Sequence, residues 1–573
     1  MKLGQAFSDS VIIEQKTTRR FPASLAPKWW LGAGKALLFT SVLFVSLFIL
    51  LWRLFDLTFI KGHRLRALAE GNRTRELIRH APRGRILDRT GKVLAENVPT
   101  RRMNGIYIEN DYGRKYVDGT STFPVVGYTG EISEKELLDP YFQLRGYLPG
   151  DRLGRMGAEA VFEERLRGKN GKDLVEITSS GDITRTLGHV PEIPGEDIEL
   201  SVDRALALAA QNAFPEGEKG AVIVTKPTTG EILTIYSSPS LDMNIFTESL
   251  SEEKYDALVN HPDRPMFNRG IGGVYPPGST FKIVTAIAAL EENVITDKTL
   301  VEDVGVLTIG PYSFPNWYFT QYGKTDGLVD IIKALQRSND IFFYKTGEAT
   351  GITKLGIWAK RLGLGRALGI ELPGEAVGLM PDPVWKATQF DSEIDKEVRN
   401  DQWYLGDTYH VSIGQGYLLT TPLQVNAWTN VIGSGGKLCK PTIVKNSQTC
   451  KSLEIKKETI KLITEGMKQA CEPGGTGWPL FEFSVIPASE PESIENKDGS
   501  RVTARDDIKV PVACKTGTAE FGDPQERTHA WFTAFAPIVE PEISVTVLVE
   551  GAGEGSDKAA PVAKKILEEW FSR

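Results

Sequence analysis

The pattern of apolar and polar positions divides this 573-residue chain into three parts. An uncharged apolar run lies near the N-terminus, a stretch of short strand signals follows it, and a long final region carries both strand and helix periodicities. In the final region the strand signals lie at the two ends, and helical segments and loops fill the middle. The sequence therefore predicts an α+β fold in which both ends of the region build one sheet around an inserted helical lobe. The signals are a two-stranded hairpin at 220–238, strands at 510–521, 529–537 and 542–551, and a terminal helix at 558–571.

The apolar run from Ala36 to Trp52 contains no charged residue. At ~1.5 Å per residue, this run and its apolar flanks reach the length that a hydrocarbon core of ~30 Å requires. The alternatives are a cleaved signal peptide or a buried core helix, but no small-x-small cleavage site follows Trp52. Basic residues are nearly balanced on the two sides, so length decides the orientation, because a bulky domain is translocated largely regardless of charge. We predict a cytoplasmic tail (1–35), a single transmembrane anchor (36–55) and an extracytoplasmic remainder.

The extracytoplasmic part is predicted to form two domains. Residues 56–200 are rich in arginine, glycine and short strand signals and contain no paired carboxylates or histidine cluster that would demand chemistry. Residues 201–573 have the apolar strand and helix patterns of a large compact domain. The formal net charge of −7 argues against general electrostatic binding of nucleic-acid phosphates. The sequence contains no CxxC pair of the kind that binds a structural zinc ion. We predict no metal and no cofactor.

Four cysteines are too few for a disulfide scaffold in a chain of this length. Outside the membrane a disulfide bond is permitted, and one bond among Cys439, Cys450 and Cys471 is about as expected as none. The sequence does not give the pairing. Cys514 is predicted to be a free core residue, because on a strand it points away from its neighbour Lys515.

The first candidate for chemistry is the pair Ser279 and Lys282 in YPPGSTFKIVTAIAAL. Prolines and a glycine break the chain just before Ser279, and an apolar helix follows, so the serine is expected at a helix N-terminus that favours developing negative charge. Lys282 lies one turn on, where a lysine with a lowered pKa can accept the serine proton. The spacing alone is weak evidence, since Ser251 and Lys254 share it in an acidic, exposed helix. The apolar helix after Ser279 is what distinguishes the first pair, because a buried serine and lysine need a purpose.

The second candidate is LQRSNDIFFY, in which Ser338 and Asp340 stand at a break before an apolar run. These two side chains can hydrogen-bond or relay a proton near the nucleophile. Taken alone, such a cluster is more often a simple helix cap.

The third candidate is the run Lys515, Thr516, Gly517 and Thr518. On a strand, Lys515 and Gly517 face one side, where the lysine supplies positive charge and the glycine lets another backbone approach closely. The alternative is a surface lysine near a turn. Each of the three motifs is weak alone, but the three in this order form a strong signal.

These motifs resemble the active-site set of the penicillin-binding proteins and serine β-lactamases. Further segments extend the resemblance over roughly residues 36 to 573, and together they are similar to the monofunctional (class B) penicillin-binding proteins of the elongation type, penicillin-binding protein 2. One departure is Asp340, since the common form of the middle motif has asparagine at its third position. The segments are RGRILDRTGKVLAEN, GRMGAEAVFEERLRGKNG, FNRGIGGVYPPGST, GDTYHVSIGQGYLLTTPLQ and THAWFTAFAP.

The resemblance implies an antiparallel five-stranded sheet with flanking helices, an elongated pedestal domain, and a peptidoglycan D,D-transpeptidase that is a target of β-lactams. Lys282 would deprotonate Ser279, whose hydroxyl attacks the terminal D-Ala-D-Ala of a stem peptide, and an amine of a second stem would resolve the acyl-enzyme. The backbone N–H groups of Ser279 and Thr518 would hold the oxyanion, and Ser338 would pass a proton to the leaving amine. The substrate carboxylate would be held by Lys515, Thr516 and Thr518.

The resemblance also implies a place at the cell membrane and a partner, a polytopic membrane glycosyltransferase of the elongation machinery. The alternatives are a division-type transpeptidase, a non-catalytic β-lactam-binding scaffold and a β-lactamase. A bifunctional enzyme would need a glycosyltransferase domain for which residues 56–200 are too few. A Ser-His-Asp hydrolase is disfavoured because no GxSxG elbow occurs, and His410 and His529 are expected to be structural.

Overall fold

The computed structural model describes residues 33–104, 107–178, 180–247, 250–486, 493–495, 501–503 and 507–573. The chain forms two compact units. The smaller contains the residues up to Glu76 together with 174–188, and the larger contains 77–173 and 189–573. The predicted tail falls almost entirely outside the described residues. The predicted domain boundaries at 56 and 201 stay predictions.

The predicted anchor is a continuous helix, α1 (Ala33–Phe55), which passes into a π-helical turn at Asp56–Ile60 and then into α2 (Gly62–Arg73). Its apolar side chains are exposed throughout, as suits a helix that needs an apolar solvent. Within the described part of the chain, the span Gly34–Ile60 is the one helix long and apolar enough to cross a membrane.

The region up to residue 200 is built from short strands and short helices. Ile86 pairs with Ala95 in an antiparallel register, which agrees with the short strand signals predicted there. The strands are β1 (Thr74–Arg79), β2 (Ile86–Leu87), β3 (Val93–Asn104), β4 (Tyr107–Tyr116), β5 (Thr129–Glu131), β6 (Arg152–Gly154), β7 (Gly171–Ile177), β8 (Ile183–Val190) and β9 (Ile198–Glu199). The helices are α3 (Phe123–Val126), α4 (Glu134–Leu137), α5 (Pro140–Leu144), α6 (Gly157–Val161) and α7 (Glu163–Leu166).

The region from residue 201 combines a sheet with many helices. Its helices are α8 (Arg204–Ala213), α9 (Glu252–Val259), α10 (Lys282–Glu291), α11 (Trp317–Tyr322), α12 (Ile331–Arg337), α13 (Asp340–Thr350), α14 (Ile352–Arg361), α15 (Pro383–Gln389), α16 (Glu393–Glu397), α17 (Leu405–Ser412), α18 (Pro422–Gly433), α19 (Lys457–Ala470) and α20 (Gly555–Phe571). Short 3₁₀ turns lie at Met243–Phe246, Gly278–Phe281 and Trp478–Leu480. Its strands are β10 (Gly220–Thr225), β11 (Ile232–Ser238), β12 (Val301–Asp303), β13 (Val306–Ile309), β14 (Tyr312–Pro315), β15 (Gly327–Val329), β16 (Lys437–Cys439), β17 (Cys450–Ser452), β18 (Ser484–Val485), β19 (Ser493–Glu495), β20 (Arg501–Thr503), β21 (Ile508–Lys509), β22 (Ala513–Glu520), β23 (Thr528–Ala536) and β24 (Ile543–Val549).

The predicted sheet is confirmed. Five strands pair antiparallel in the order β11-β10-β24-β23-β22, so both ends of the region contribute and β22 is an edge strand. Both faces are covered, because Trp531 of β23 packs in the apolar cluster of the helical lobe while the next residue, Phe532, packs in the cluster formed with α8 and α20. This alternation along one strand is what a sheet between two layers of helices requires.

All four cysteines form disulfide bonds. Cys439 pairs with Cys450 between β16 and β17, and Cys471 pairs with Cys514. The prediction of a free core residue at Cys514 was wrong in part: its side chain is fully buried, but the end of α19 brings Cys471 against it. Sequence position gave no sign of this contact, since 43 residues separate the two.

Candidate active site

Ser279 lies in a tight 3₁₀ turn, Gly278–Phe281, that leads directly into α10. Gly278 has a φ of 53° and lies so close to β22 that a Cβ atom would come within 2.6 Å of the Thr518 carbonyl oxygen. Only glycine fits such a turn and such an approach. Ser279 is half-buried, whereas Lys282 on the first residue of α10 is fully buried. The predicted helix N-terminus at the serine is confirmed.

The Ser251–Lys254 pair provides a contrast. Ser251 caps the exposed helix α9 by accepting a hydrogen bond from the backbone N–H of Lys254. Neither residue is buried. This pair is an ordinary helix start, as the acidic sequence around it predicted.

Lys282 points its ammonium group at the middle motif. Its Nζ donates to Asp340 Oδ1 at 2.6 Å, to the Ser338 carbonyl oxygen at 2.7 Å and to Ser338 Oγ at 3.3 Å. Burial lowers the pKa of Lys282 below 10.5, and the Asp340 carboxylate opposes this effect. Within the described residues, the hydrogen bonds of Lys282 go to the middle motif and not to Ser279. Catalytic hydrogen bonds are often absent before substrate arrives, so this geometry does not disqualify Lys282 as the base.

The middle motif is a turn between two helices. Ser338 ends α12 in the left-handed region with a φ of 56°, and the Asn339 side chain caps α13 by accepting from the Phe342 N–H. Asp340 Oδ2 accepts the backbone N–H of Trp317 at 2.9 Å. The segment therefore caps the C-terminus of α12 and the N-terminus of α13. It also provides the hydrogen-bond acceptors of Lys282. A non-glycine residue with positive φ is a strained feature that clusters at functional sites.

Lys515 reaches the same turn from the opposite side. It is fully buried on β22, and its Nζ donates to Ser338 Oγ at 2.8 Å and to the Thr516 carbonyl oxygen at 2.9 Å. Burial lowers the pKa of Lys515 well below 10.5, and the charge of Lys282 lowers it further. The structure excludes the alternative of a surface lysine. Ser338 Oγ thus accepts hydrogen bonds from two lysines that the sequence places far apart.

The remaining motif residues lie on the edge strand β22. Thr518 is exposed, while Thr516 is buried and its hydroxyl donates to Thr476 Oγ1 at 2.7 Å. A Cβ atom on Gly517 would come within 3.0 Å of both Thr280 Cγ2 and Trp531 Cβ, so the predicted close approach at this glycine is observed. An edge strand with free backbone groups is suited to pairing with an extended peptide.

Several residues in this cluster were not predicted. Asn339 lies inside the middle motif and could have been found there. Trp317 reaches the site from the start of α11 and Thr476 from a loop, and neither segment carries a motif, so the sequence gave no signal for them. Of the two histidines, His410 lies in α17 and His529 on β23. His529 accepts the Gly551 N–H at Nδ1, and burial lowers its pKa to about 4. Burial also lowers the pKa of His410.

Within the described residues, no group of three or more His, Cys, Asp or Glu side chains is placed to hold a metal ion.

A five-stranded antiparallel sheet and a helical lobe bring together the serine–lysine, middle and KTG motifs that are typical of the penicillin-binding proteins and class A β-lactamases. The chain matches the family "Penicillin binding protein transpeptidase domain" over residues 220–568 and the family "Penicillin-binding Protein dimerisation domain" over residues 100–200. The protein belongs to the penicillin-binding protein transpeptidase family, which confirms the resemblance of its motifs.

Its relatives include the peptidoglycan D,D-transpeptidase MrdA of Haemophilus influenzae, 33% identical over 481 residues that cover 81% of this chain and 70% of the relative. MrdA of Escherichia coli K12 is 31% identical and covers 79% of this chain and 70% of its own. The complex of penicillin-binding protein PBP2 with MreC from Helicobacter pylori has a TM-score of 0.71 at 26% identity, over 87% of this chain and 98% of that one. Pseudomonas aeruginosa PBP2 in complex with WCK 5153 has a TM-score of 0.66 at 30% identity, over 87% and 96%.

Proposed function

We propose that this protein is a peptidoglycan D,D-transpeptidase that cross-links stem peptides during cell-wall elongation through an acyl-enzyme at Ser279. The observation that carries the proposal is the buried cluster of Lys282, Ser338 and Lys515 next to the half-buried Ser279. Buried lysines are costly unless they serve a function, and perturbed groups in a cleft are typical of catalytic sites. The MrdA relatives carry the same activity in their names.

The first half-reaction is acyl transfer to Ser279. Its Oγ attacks the carbonyl carbon between the two terminal D-Ala residues while the neutral amine of Lys282 takes the hydroxyl proton. The backbone N–H groups of Ser279 and Thr518 receive the oxyanion. When the C–N bond breaks, the leaving D-Ala amine takes a proton through Ser338, whose hydroxyl bonds to both lysines.

The second half-reaction resolves the ester. The amine of a neighbouring stem peptide attacks the Ser279 acyl carbon and its proton passes to Lys282. The ester C–O bond then breaks, and Lys282 returns the proton to Ser279 Oγ. Water in place of the amine would give a carboxypeptidase side reaction. In the first step Lys515, Thr516 and Thr518 hold the carboxylate of the terminal D-Ala, which departs with that residue. In both steps the backbone of β22 pairs with the extended donor chain.

The proposal also covers placement. The helix Gly34–Ile60 would anchor the protein in the cell membrane in a single pass with residues 1–35 in the cytoplasm, a pedestal at 56–200 and the transpeptidase domain at 201–573 outside. A PBP2 relative is solved with MreC, and another similar structure, with a TM-score of 0.71 at 26% identity over 94% of this chain and 99% of that one, is of a peptidoglycan synthase complex that coordinates polymerization and crosslinking. These support a polytopic membrane glycosyltransferase as the partner.

The test is intact mass spectrometry of the full-length chain in detergent after brief exposure to benzylpenicillin. We expect a stable adduct of one drug mass on the wild type and on Ser251→Ala, which removes the serine of the exposed pair. Ser279→Ala should carry no adduct. An adduct that clears within seconds would instead identify a β-lactamase, and a wild type without any adduct would identify a scaffold.

A further inference from the structure

Asp303 is a buried carboxylate at the end of β12, outside the three motifs. It is 3% exposed and accepts four N–H groups. Oδ1 accepts from the Gly305 backbone at 2.9 Å. Oδ2 accepts from Asn316 Nδ2 at 2.8 Å, Asn339 Nδ2 at 2.9 Å and the Asp326 backbone at 2.9 Å. A buried carboxylate needs such complete hydrogen bonding, so its partners are held firmly.

Two of these partners, Asn316 and Asn339, also hydrogen-bond to the backbone on either side of the middle-motif turn. Asn339 is the residue between Ser338 and Asp340, and the oxygen of its side chain caps α13. Asn316 accepts the backbone N–H of Asp340 at its Oδ1, at 3.1 Å. A single oxygen of Asp303 therefore orients both amides, and each amide fixes one side of the turn.

The turn is the part of the site that needs such support. Ser338 has a positive φ, and its carbonyl oxygen and hydroxyl both receive Lys282 while the hydroxyl also receives Lys515. A backbone strained in this way persists only when its surroundings over-determine it. If the amides were free to rotate, the carbonyl and hydroxyl of Ser338 would leave the two lysines.

We propose that Asp303 is a positioning residue for the acylation step: it orients Asn316 and Asn339 so that the Ser338–Asp340 turn presents its oxygens to Lys282 and Lys515. The inference rests on the proposed acyl-transfer function. It assigns Asp303 no contact with substrate. Its effect is therefore on the rate of acyl transfer and not on the affinity of the first, non-covalent complex.

The test separates these two quantities. Acylation of the full-length protein in detergent by benzylpenicillin is followed by rapid quench and intact mass, which gives the dissociation constant of the initial complex and the rate constant of acylation. Asp303→Ala removes the Asp303 acceptor from the Asn316 amide and leaves the Asn339 amide only its bond to Asp326 Oδ2 at 3.1 Å. It should lower the rate constant roughly tenfold or more, since small misplacements of catalytic groups cost that much. Asp303→Asn keeps one acceptor oxygen and should lower the rate constant by only about two- to fivefold relative to the wild type. The initial dissociation constant should change by less than about threefold in both.

Glu231→Gln is the matched control, because Glu231 is also a buried acid, 7% exposed, but its carboxylate accepts the backbone N–H of Asn446 instead. This variant should acylate like the wild type. A wild-type rate constant in Asp303→Ala overturns the inference. If that variant does not fold, Asp303→Asn decides: a rate constant reduced beyond about twofold at an unchanged melting temperature supports the inference, and an unchanged rate constant overturns it. Failure of the proposed function would show separately, as a wild type that takes no adduct.

Discussion

The ion pair between Lys282 and Asp340 gives the sharpest test of the site chemistry. The two atoms Nζ and Oδ1 are 2.6 Å apart, and the lysine side chain is fully buried. On the proposed mechanism, acylation needs Lys282 as a neutral amine, because an ammonium group cannot take the Ser279 proton. Burial favours the neutral amine, and the Asp340 carboxylate favours the ammonium. Asp340→Asn removes the second influence and keeps the shape of the side chain.

The size of the effect follows from the geometry. Two unit charges at 2.6 Å in an effective dielectric of ~20 attract by about 6 kcal/mol before desolvation is counted. Asparagine keeps a hydrogen-bond acceptor at this position, so only part of that attraction is lost. Each ~1.4 kcal/mol that is lost raises the ratio of neutral to charged Lys282 about tenfold at a given pH. We expect at least one such factor.

The assay is the second-order rate constant of acylation by benzylpenicillin across roughly pH 6 to 10, the range over which a buried lysine with a lowered pKa loses its proton. The rising limb should move to lower pH in Asp340→Asn, so the ratio of variant to wild-type rates should be about tenfold greater at the acid end than at the alkaline end. Asp407→Asn is the matched control, since Asp407 forms a comparable pair with the buried Lys386 at 2.7 Å. A profile in Asp340→Asn that overlays the wild type, or moves to higher pH, would refute the reasoning.

Three further predictions concern the frame around the site. The pKa of His529 is about 4 in the folded protein and 6.5 in the unfolded chain, so stability that is present above pH 6.5 is lost as the pH falls towards 4. His529→Gln should reduce that loss by up to about 3 kcal/mol of unfolding free energy, measured by urea titrations at pH 6.5 and pH 4. The Cys471–Cys514 bond closes 43 residues, so replacing both by serine should cost about 4 kcal/mol of unfolding free energy and slow acylation, because Cys514 adjoins Lys515. Gly517→Ala should lower the acylation rate about tenfold or more, since the new methyl group displaces the turn that holds Ser279.

Each of these has a control within the chain. His261→Gln, at a histidine whose side chain is 47% exposed, is the same substitution at a surface position, against which the His529→Gln titrations are compared. Replacing Cys439 and Cys450 by serine removes the shorter loop, of 11 residues, and should cost about 3 kcal/mol without slowing acylation. Gly356→Ala meets only ordinary contacts at 3.8 Å in helix α14 and should acylate normally. Equal acylation rates in Gly517→Ala and Gly356→Ala would contradict the third prediction.

The sheet and the three motifs could be predicted because both depend on local patterns. The strands β10, β23 and β24 are largely apolar, and the motif around Ser279 has its glycine and prolines beside it in sequence. What could not be predicted are contacts between segments that share no pattern. In the sequence Asp303 is one residue of a short strand, and its hydrogen-bond partners come together only when the lobe folds. Cys471 contacts Cys514 only because α19 packs on β22. Such contacts depend on tertiary packing, which no local periodicity encodes.

Lys282 and Lys515 both donate to the Ser338 hydroxyl, and burying two lysines at one hydroxyl lowers the stability of the fold. Lys515 is bonded to the neutral oxygens of Ser338 and Thr516, whereas Lys282 faces the Asp340 carboxylate, so the proton that the pair shares is better placed on Lys282 in the free protein. That placement stabilises the fold but withholds the base. An anionic substrate carboxylate held at Thr516 and Thr518 would supply the negative charge that Lys515 lacks, draw the proton across the Ser338 hydroxyl, and leave Lys282 neutral beside Ser279. The arrangement thus makes acylation depend on the very end of the peptide that the enzyme must recognise.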